Sequence, residues 1–345
     1  MKLLTVAVPT YNTEKYLDRC LLSLLHDESV LDQLEIIIIN DGSKDNSLSI
    51  ARRYEKKFPG SIIVIDKTNG GHGSTINAAL KIAKGKYFRV IDSDDWVNII
   101  DFPRLIKELD KYDVDIVLTN YTRELVYEGA HVKFIYSDKI QYNKNYDMSD
   151  FDYKLFDDDY FFMATSNIKT ETLRKSLLML DEKTFYVDME YVIFPIKEMS
   201  DFVYLNYDIY RYFIGRGDQS ISIKSMVKNR KDHEKVLLKL LNFYKYTKMN
   251  KNKRDYVKKI LVLMLNSHYM IYCGGKAENN LMKKEIKIFD SQLLENYPDL
   301  YKAVAKKFPY IDQYRSTKFL FTKSFFSFYK KYVNHQLRIR ARGSL

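Results

Sequence analysis

Four short apolar runs within the first 91 residues constrain the fold of this chain more than any other feature. They are Leu3–Val8, Glu35–Asn40, Ser61–Ile65 and Tyr87–Ile91. Each of the first three leads through a turn into a segment whose apolar residues recur at helical spacing. The second run is unbroken and rich in isoleucine, which is typical of a strand covered on both faces. This alternation predicts a doubly wound, mostly parallel α/β sheet.

The later part of the chain shows less regular patterns. Period-two alternation over residues 121–136 predicts antiparallel strands, and the acidic, Tyr-rich residues 138–160 predict a loop. We expect a helix over Asp188–Met199 and a pair of strands over Phe202–Tyr212. From Ser225 onward the pattern is helical to the end of the chain.

Charge divides the chain of 345 residues into two parts. Residues 224–345 carry 28 Lys and Arg against 9 Asp and Glu, whereas residues 1–223 carry 28 against 36. The formal net charge is +11, so an acidic first part is followed by a strongly basic second part. This shift predicts two domains, 1–223 and 224–345.

Composition also limits the setting in which the chain works. Hydrophobic residues make up 46% and charged residues 29%, a mixture typical of water-soluble globular proteins. No apolar stretch approaches the roughly 20 residues that span a bilayer, and the first residues lack the core of a signal peptide. The two cysteines, Cys20 and Cys273, lie in stretches with helical, apolar character. We therefore expect a reduced, cytoplasmic protein.

A polar turn follows each of the four predicted parallel strands. The turns are Pro9–Asn12, Asn40–Ser43, Asn69–Gly73 and Asp92–Asp95. Because the carboxyl ends of parallel strands meet at one edge of a sheet, we expect these turns to converge there. Together they offer an aromatic ring, a lone carboxylate, glycines that permit close backbone approach, and a cluster of carboxylates. These groups suit a nucleotide, which needs a surface for its base and metal ligands for its diphosphate.

Three carboxylates crowd together in the last of these turns, at Asp92, Asp94 and Asp95. Adjacent carboxylates repel one another and resist burial, so their placement at a strand end indicates a bound cation or a cationic substrate. A hard divalent ion that keeps several waters and bridges phosphates suits one or two such side chains. A polar loop with a helix cap is the simpler alternative, since Asp is a common N-cap residue.

The ordered combination of these motifs resembles the family 2 glycosyltransferases, which are inverting nucleotide-sugar enzymes with a GT-A fold. The matching segments are Val6–Asn12, Asn40–Asp45, Asn69–Asn77, Gly85–Tyr87 and Ile91–Trp96. Roughly the first 120 residues carry the resemblance well, the next hundred carry it loosely, and the rest do not carry it. The resemblance implies a Rossmann-like, mostly parallel sheet flanked by helices, followed by a helical C-terminal subdomain.

By this resemblance, the first two turns hold the nucleobase of a nucleotide sugar, which we expect to be a UDP-sugar. Pro9 and Tyr11 would contact the base, and Asp41 would accept the imide hydrogen of uracil. Asn40 stands where the family usually has Asp, a departure that leaves the base-reading carboxylate in place. Tyr11 could equally pack against the protein, and Asp41 could be a turn residue. The other donor-binding residues that the resemblance implies are Asn12, Asn69, Gly73, Asp92 and Ser93.

The resemblance also implies a divalent metal, Mn²⁺ or Mg²⁺, at the diphosphate of the donor. Asp94 would bind the metal, and Asp92 would contact the ribose or a metal-bound water. Asp95 lies beside them in the chain, so the sequence leaves open whether Asp94 or Asp95 is the direct ligand.

Inversion at an anomeric carbon requires a general base that takes the proton of the acceptor hydroxyl. The family places this base in a Glu-Asp pair at the start of a helix, roughly a hundred residues beyond the metal motif. Val187 and Asp188 occupy that place here. The resemblance therefore makes Asp188 the candidate base and Glu190 the second candidate. Asp188 could also cap the helix that follows it.

Four further residues are candidates for the reaction. Residues 210–222 resemble the closing segment of the family, where Arg211 or Arg216 could neutralise the charge that develops on the leaving diphosphate. His72 lies in the Gly-rich turn and could contact the donor or the acceptor, and Trp96 flanks the metal motif and could form a platform for an acceptor sugar. Each has a simpler explanation, since arginines and loop histidines are often solvated and a tryptophan often packs in the core.

The last segment of the chain, Phe319–Arg342, mixes aromatic residues with lysines and arginines. It could lie on an anionic membrane, where each nearby basic residue contributes about 1 kcal/mol. It could instead bind a polyanionic acceptor. The third interpretation is an ordinary helical subdomain with solvated lysines and aromatic core positions.

By this resemblance we expect a cytoplasmic, metal-dependent, inverting glycosyltransferase, and the basic C-terminal part would allow a peripheral position at the inner face of the membrane. Its acceptor would be a hydroxyl of a glycan, a lipid-linked glycan or a glycoprotein, as in bacterial surface-polysaccharide assembly. The alternative is a nucleic-acid- or membrane-binding protein that acts through the basic C-terminal part. That alternative explains the charge but not the four turns, so no nucleic-acid partner is expected. A nucleotidyltransferase would need a Gly-rich, basic triphosphate loop near the N-terminus, which the sequence lacks.

Overall fold

The computed structural model describes residues 1–215, 223–274 and 280–319. The chain divides into two compact units, Met1–Gly215 and Arg216–Leu345. Strands and helices alternate in the first unit, and the second is helical in its described residues. The two domains expected from the charge, 1–223 and 224–345, remain a prediction, because residues 216–222 lie outside the described part.

Four parallel strands form one side of the sheet in the first unit. They are β1 Leu4–Thr10, β2 Leu34–Asp41, β3 Ile62–Lys67 and β4 Tyr87–Val90, connected by helices α1 Leu17–Leu24, α2 Ser47–Lys57 and α3 His72–Ile82. The strands lie in the order β3-β2-β1-β4, and every residue of β1 and β2 is buried. Burial on both faces explains why these strands lack polar alternation. The predicted parallel α/β arrangement is confirmed.

Six more strands extend the sheet beyond β4. They are β5 Trp96–Val97, β6 Ile116–Leu125, β7 Ala130–Phe134, β8 Asn145–Asp147, β9 Ser166–Lys169 and β10 Asp201–Ile214. β9 pairs antiparallel with both β4 and β6, and β10 runs parallel to β6. β5 and β8 pair antiparallel with β10, and β7 with β6. The helices of this part are α4 Asp101–Leu109, α5 Thr170–Lys175 and α6 Asp188–Ile193.

The prediction of a strand pair over Phe202–Tyr212 is wrong, since β10 is a single strand of 14 residues. Its register with β6 shifts between Tyr204 and Asp208 and again between Asp208 and Tyr210, as at a β-bulge. A bulge interrupts the alternation of side chains between the two faces of a sheet. The sequence pattern of one bulged strand therefore looks like two shorter strands.

The helix expected over Asp188–Met199 is shorter than predicted. The α-helix ends at Ile193, and the chain continues as a 3₁₀ turn over Phe194–Lys197. Pro195 has no N–H to donate to a carbonyl of the preceding turn, so the proline interrupts the α-helical hydrogen bonding. Apolar periodicity continues past the proline, which explains the longer prediction.

Residues 138–160 are not the plain loop that their polarity predicts. They contain β8 and a 3₁₀ turn over Tyr153–Phe156. Tyr146 stacks on the Phe202 ring with centroids 4.9 Å apart, and Phe151 meets the same ring edge-on at 4.9 Å. Tyr146, Phe151 and Phe156 therefore belong to the core, and the acidic residues around them mask this pattern in the sequence.

Helices make up the described part of the second unit, as predicted. They are α7 Ile223–Lys228, α8 Arg230–Tyr246, α9 Lys251–Gly274, α10 Asn280–Asn296, α11 Pro298–Lys307 and α12 Tyr310–Ser316. Leu237, Leu241 and Ile260 are fully buried between them. Within the described residues, no helix has both the length and the apolar character that crossing a bilayer requires. The basic segment Phe319–Arg342 lies outside the described residues except for Phe319.

Candidate active site

Polar turns meet at the carboxyl edge of the parallel strands, as the sequence predicts. Asn12 follows β1. Its side-chain oxygen accepts a hydrogen bond from the Lys44 backbone amide at 2.8 Å, and its backbone amide donates one to the Ser43 hydroxyl at 3.1 Å. The hydroxyls of Thr13 and Ser93 bond at 2.9 Å, which joins the first turn to the fourth. The parallel register of β2, β1 and β4 places these turns side by side.

Asp41 organises the Gly-rich turn. Its buried carboxylate accepts hydrogen bonds from the Gly70 amide at 2.9 Å, the Gly71 amide at 2.8 Å and the Lys67 ammonium at 2.8 Å. Gly71 has a φ of +82°, a left-handed conformation that favours glycine. The Asn69 side chain donates to the carbonyl of Asp41 at 2.9 Å and holds the turn against β2. The Asp41 carboxylate is therefore a fixed part of this turn.

The surroundings of Asp41 also explain the departure at Asn40. The Asn40 amide donates a hydrogen bond of 2.7 Å to the carboxylate of Asp66 on β3. An aspartate at position 40 would place two like charges at that contact, which repulsion disfavours. Pro9 is buried at the end of β1, while the Tyr11 ring beside it is 51% exposed. The Tyr11 ring is thus available to a ligand.

The three crowded carboxylates have different environments. Asp95 is 1% exposed, and its oxygens accept hydrogen bonds from the Tyr210 hydroxyl at 2.5 Å and the Phe213 amide at 2.8 Å. Burial raises the pKa of Asp95 well above its usual range, and the charges of Asp94 and Asp92 add to this effect. Asp92 and Asp94 are only partly buried. These two carboxylates are the accessible members of the cluster.

His72 connects the carboxylate cluster to the candidate base. Its Nε2 lies 2.9 Å from a carboxylate oxygen of Asp92. Burial lowers the pKa of His72, but the charges of Asp92, Asp188 and Asp94 outweigh burial and raise it above its ordinary value. Asp188 is the first residue of α6 and is exposed to solvent. The protein atoms around its carboxylate raise the pKa of Asp188, and the charge of His72 opposes that shift.

The second candidate base, Glu190, has a different environment from Asp188. Glu190 is fully buried, and its carboxylate accepts a hydrogen bond of 2.8 Å from the Asp181 amide. That bond attaches the preceding segment to α6. An exposed carboxylate can reach an acceptor hydroxyl, whereas a buried one cannot do so without rearrangement of the protein.

Arg211 lies within β10 and forms two ion pairs. Its guanidinium contacts the carboxylates of Glu124 and Asp208, each at 3.0 Å, and its side chain is 20% exposed. Arg216 lies outside the described residues. Trp96 pairs with Arg211 in the strand register and is half-buried. The Arg19 guanidinium covers one face of the Trp96 ring at 3.7 Å from the centroid, so a sugar could stack only on the other face.

Tyr210 and Asn77 lie in segments that resemble the family, but no local pattern in the sequence gives either residue a role. Tyr210 is buried and donates to Asp95, a residue 115 positions away. Asn77 forms two hydrogen bonds with the backbone of Leu180, 103 positions away. Both contacts depend on strand and helix packing between distant parts of the chain.

The carboxylates fit one mode of metal binding. In the part of the chain that the structure describes, no group of three or more His, Cys, Asp or Glu side chains could hold a metal ion by itself. Mg²⁺ and similar hard ions instead bind through one or two carboxylates, with waters and substrate phosphates as further ligands. Asp92 and Asp94 offer this donor set, since both are oxygen ligands and both remain partly accessible.

Comparison with known proteins places the first half of the chain in a family. Residues 5–164 match glycosyl transferase family 2. The glycosyltransferase EpsJ of Bacillus subtilis, described as uncharacterized, is 40% identical over 115 residues, which are 33% of this chain and 33% of that protein. The poly(ribitol-phosphate) beta-N-acetylglucosaminyltransferase TarS of Staphylococcus aureus is 32% identical over 114 residues, 33% of this chain and 20% of TarS. The chain thus spans a third or less of the length of these relatives.

Solved structures share the fold over most of the chain. The crystal structure of S. aureus TarS 1-349 in complex with UDP-GlcNAc has a TM-score of 0.67 at 19% identity, covering 93% of this chain and 88% of that one. The mannosyltransferase PcManGT of Pyrobaculum calidifontis, in complex with GDP-Man and Mn²⁺, has a TM-score of 0.51 at 14% identity and covers 88% and 86%. Residues 5–164 are thus a glycosyl transferase family 2 domain, and the chain shares its fold with the TarS structure.

Proposed function

We propose that this protein is an inverting glycosyltransferase that moves a sugar from a UDP-sugar to a hydroxyl group of a glycan, a lipid-linked glycan or a glycoprotein. One observation carries the proposal. Polar turns meet at one edge of the sheet, where His72 contacts Asp92 and lies within electrostatic reach of Asp188. A nucleotide surface, two accessible carboxylates and a candidate base are thereby close together.

The donor site is formed by the first three turns in this proposal. The exposed Tyr11 ring, with Pro9 behind it, takes one face of the nucleobase. Asp41 keeps the Gly-rich turn in place, and its buried carboxylate would accept the imide hydrogen of uracil in exchange for the Lys67 ammonium, its partly exposed donor at 2.8 Å. Asn12 and Asn69 lie at the same edge. Asp92 is a further donor contact, whereas the buried Gly73 and Ser93 would shape the site from behind.

A divalent cation, Mn²⁺ or Mg²⁺, would be held by Asp94 and Asp92. Bound there, the ion would neutralise negative charge on the diphosphate. Asp95 keeps the pair in position, since both of its oxygens accept hydrogen bonds from β10. We therefore assign the direct ligand role to Asp94 and an anchoring role to Asp95.

Asp188 is the general base of the proposed reaction. It takes the proton of the acceptor hydroxyl while that oxygen bonds to the anomeric carbon and the bond from this carbon to the diphosphate oxygen breaks. A raised pKa brings the carboxylate nearer to the operating pH, which favours proton transfer. His72 and Trp96 line the acceptor side. Arg216 is proposed to neutralise the leaving diphosphate, and Arg211 to hold β10 through its two ion pairs.

The donor and acceptor classes draw support from the relatives. TarS crystals contain UDP-GlcNAc in one structure and UDP in another. Several relatives are named for poly(ribitol-phosphate) or teichoic acid, which are anionic polymers. A cell-surface polymer is thus the acceptor class that we favour, and the basic second unit suits an anionic acceptor or a membrane face. The proposed location is the cytoplasm, at the inner face of the membrane.

The proposal can be tested by measuring UDP release. Purified protein with Mn²⁺ is incubated with UDP-glucose, UDP-galactose or UDP-GlcNAc, with water or added polymer as acceptor. We expect one donor to be turned over, and Asp188→Asn to lower kcat by at least about 10²-fold, since general base catalysis contributes about 10²–10⁴-fold. Asp188→Asn should bind UDP as the wild type does. Near-normal transfer by Asp188→Asn would exclude Asp188 as the base, and no turnover of any donor by the wild type would contradict the proposed function.

A further inference from the structure

The segment Leu180–Thr184, which we name the strap, lies directly on the Gly-rich turn. The Lys183 amide donates a hydrogen bond of 2.6 Å to the Gly70 carbonyl. A Cβ atom on Gly73 would lie 2.2 Å from the Asp181 carbonyl oxygen, and one on Gly71 would lie 3.0 Å from the Lys183 nitrogen. These two glycines therefore allow the backbone of the strap to pack closely against the turn. The strap and the donor turn form one packed layer.

Asn77 attaches the strap to α3. Its side-chain amide donates to the Leu180 carbonyl at 2.9 Å, and its side-chain oxygen accepts from the Leu180 amide at 2.9 Å. Asn77 is 9% exposed, so both hydrogen bonds are protected from water. The two bonds satisfy both backbone groups of Leu180, which fixes the position of that residue along α3.

The other side of the strap is attached to α6, the helix that begins with Asp188. The Asp181 amide donates to the buried Glu190 carboxylate at 2.8 Å. Between the strap and α6, Tyr186 has a φ of +67°, which is rare for a bulky residue and persists only where the surroundings fix the backbone. Contacts at both ends of the segment thus determine where Asp188 lies.

We infer that Asn77 is a positioning residue that, through the strap, fixes the candidate base Asp188 relative to the donor turn. The inference rests on the proposed function, since it gives Asp188 the role of base. A ligand on the Gly-rich turn restrains the backbone that carries Lys183, and the strap passes this restraint to α6. Donor binding and placement of the base are therefore coupled. A nucleotide at the donor turn slows opening of the strap.

Three variants test this coupling. Asn77→Ala removes both bonds to Leu180. Asn77→Asp keeps the oxygen that accepts from the Leu180 amide and loses the N–H that donates to the Leu180 carbonyl. This variant replaces Asn77→Ala if the alanine variant does not fold. Asn120→Ala is the matched control, because Asn120 is also a buried asparagine and bonds Asn206 at 3.0 Å and the Tyr204 hydroxyl, inside the sheet and away from the strap. For each variant, UDP affinity with Mn²⁺, kcat for UDP release and hydrogen exchange of residues 177–187 are measured.

We expect Asn77→Ala to lower kcat by about 10- to 100-fold, since a misplacement of about 1 Å costs up to about 10²-fold, and to change UDP affinity by less than about 3-fold. UDP should slow exchange of residues 177–187 in the wild type and in Asn120→Ala but not in Asn77→Ala. Equal kcat values for Asn77→Ala and Asn120→Ala would overturn the inference. So would a rate of hydrogen exchange in residues 177–187 of the wild type that UDP does not change. Both outcomes leave UDP binding and turnover by the wild type intact. Loss of those would instead contradict the proposed function.

Discussion

Asp95 shows how the protein accommodates three crowded carboxylates. Burial and the charges of Asp94 and Asp92 raise its pKa, and two donors from β10 occupy its oxygens. The Tyr210 hydroxyl donates one of these bonds, so a residue far along the chain holds the cluster in place. This arrangement leaves Asp92 and Asp94 as the accessible pair. A divalent ion bound by them would relieve the repulsion that the cluster creates.

The separate roles of these carboxylates lead to a prediction at residue scale. Asp94→Ala should weaken UDP binding in the presence of Mn²⁺ to the level seen without metal, because a phosphate-bridging ion loses one of its two protein ligands. Isothermal titration calorimetry with and without Mn²⁺ measures this difference. Asp110→Ala, which removes an exposed carboxylate at the end of α4, is the control. Unchanged metal-dependent affinity in Asp94→Ala would remove Asp94 from the metal role.

Single residues of the site were predictable where the signal is local. Asp41, Asp92 and Asp188 each follow a strand or begin a helix, so motif and element together indicate their positions. The partners that set their environments were not predictable. Tyr210 and Asn77 act across 115 and 103 positions, and no local pattern records such contacts.

At the scale of elements, close packing between β4 and β1 depends on Gly85. A Cβ atom at this position would lie 2.3 Å from the Thr5 nitrogen, which cannot move without disturbing β1. The Gly85 amide also donates to the Thr5 hydroxyl at 2.8 Å, and Thr5 donates to the buried Glu35 at 2.6 Å. The turn before β4 is therefore part of the packed sheet.

This packing predicts that Gly85→Ala lowers the free energy of unfolding by about 1–3 kcal/mol, the usual cost of overpacking a core. Urea denaturation followed by circular dichroism measures the change. Gly60→Ala is the matched control, because a Cβ atom there meets nothing within 4 Å. We expect the control to stay within about 0.5 kcal/mol of the wild type. Equal stability of the two variants would contradict the packing argument.

The parallel half of the sheet was predictable because each of its elements shows its own periodicity. The mixed half was predictable only in part. The alternation over residues 121–136 indicates the antiparallel pair β6 and β7, whereas β9 and β10 pair with strands distant in the chain. Both errors near α6 and β10 have local causes. The bulge in β10 makes the sequence pattern of one strand look like that of two. Pro195 ends the α-helix although the apolar periodicity continues beyond it.

At the scale of the whole molecule, a buried pair of histidines makes the stability of the protein sensitive to acid. In the second unit, His233 on α8 and His268 on α9 meet through their Nδ1 atoms at 3.1 Å. Burial lowers the pKa of His233 to about 4 and that of His268 well below its ordinary value. Both rings therefore stay neutral in the folded protein, while they bind protons near pH 6.5 when unfolded.

This pair predicts that the second unit loses stability in acid. The pKa of each histidine is lower in the folded protein than in the unfolded chain. Their contribution to stability is therefore complete above about pH 6.5 and is lost as the pH falls toward about 4. For His233 alone the loss amounts to about 3 kcal/mol once the pH is below about 4, of which about 2 kcal/mol is already lost at pH 5.0. Urea unfolding at pH 7.5 and pH 5.0 measures it, and His233→Phe with His268→Leu should reduce the difference. A stability that does not change between these pH values would contradict the neutral pair.

The measurement that tests the central claim most directly is a thermal-shift screen of UDP, GDP, CDP, TDP and ADP, each with and without Mn²⁺. Turns that meet at one edge beside two accessible carboxylates predict a donor site selective for one nucleotide and dependent on metal. We expect UDP with Mn²⁺ to raise the melting temperature, and the other nucleotides or UDP alone to raise it much less. No shift with any nucleotide would mean that the turns do not form a donor site. The basic second unit would then be tested for binding to anionic lipid vesicles and to nucleic acid.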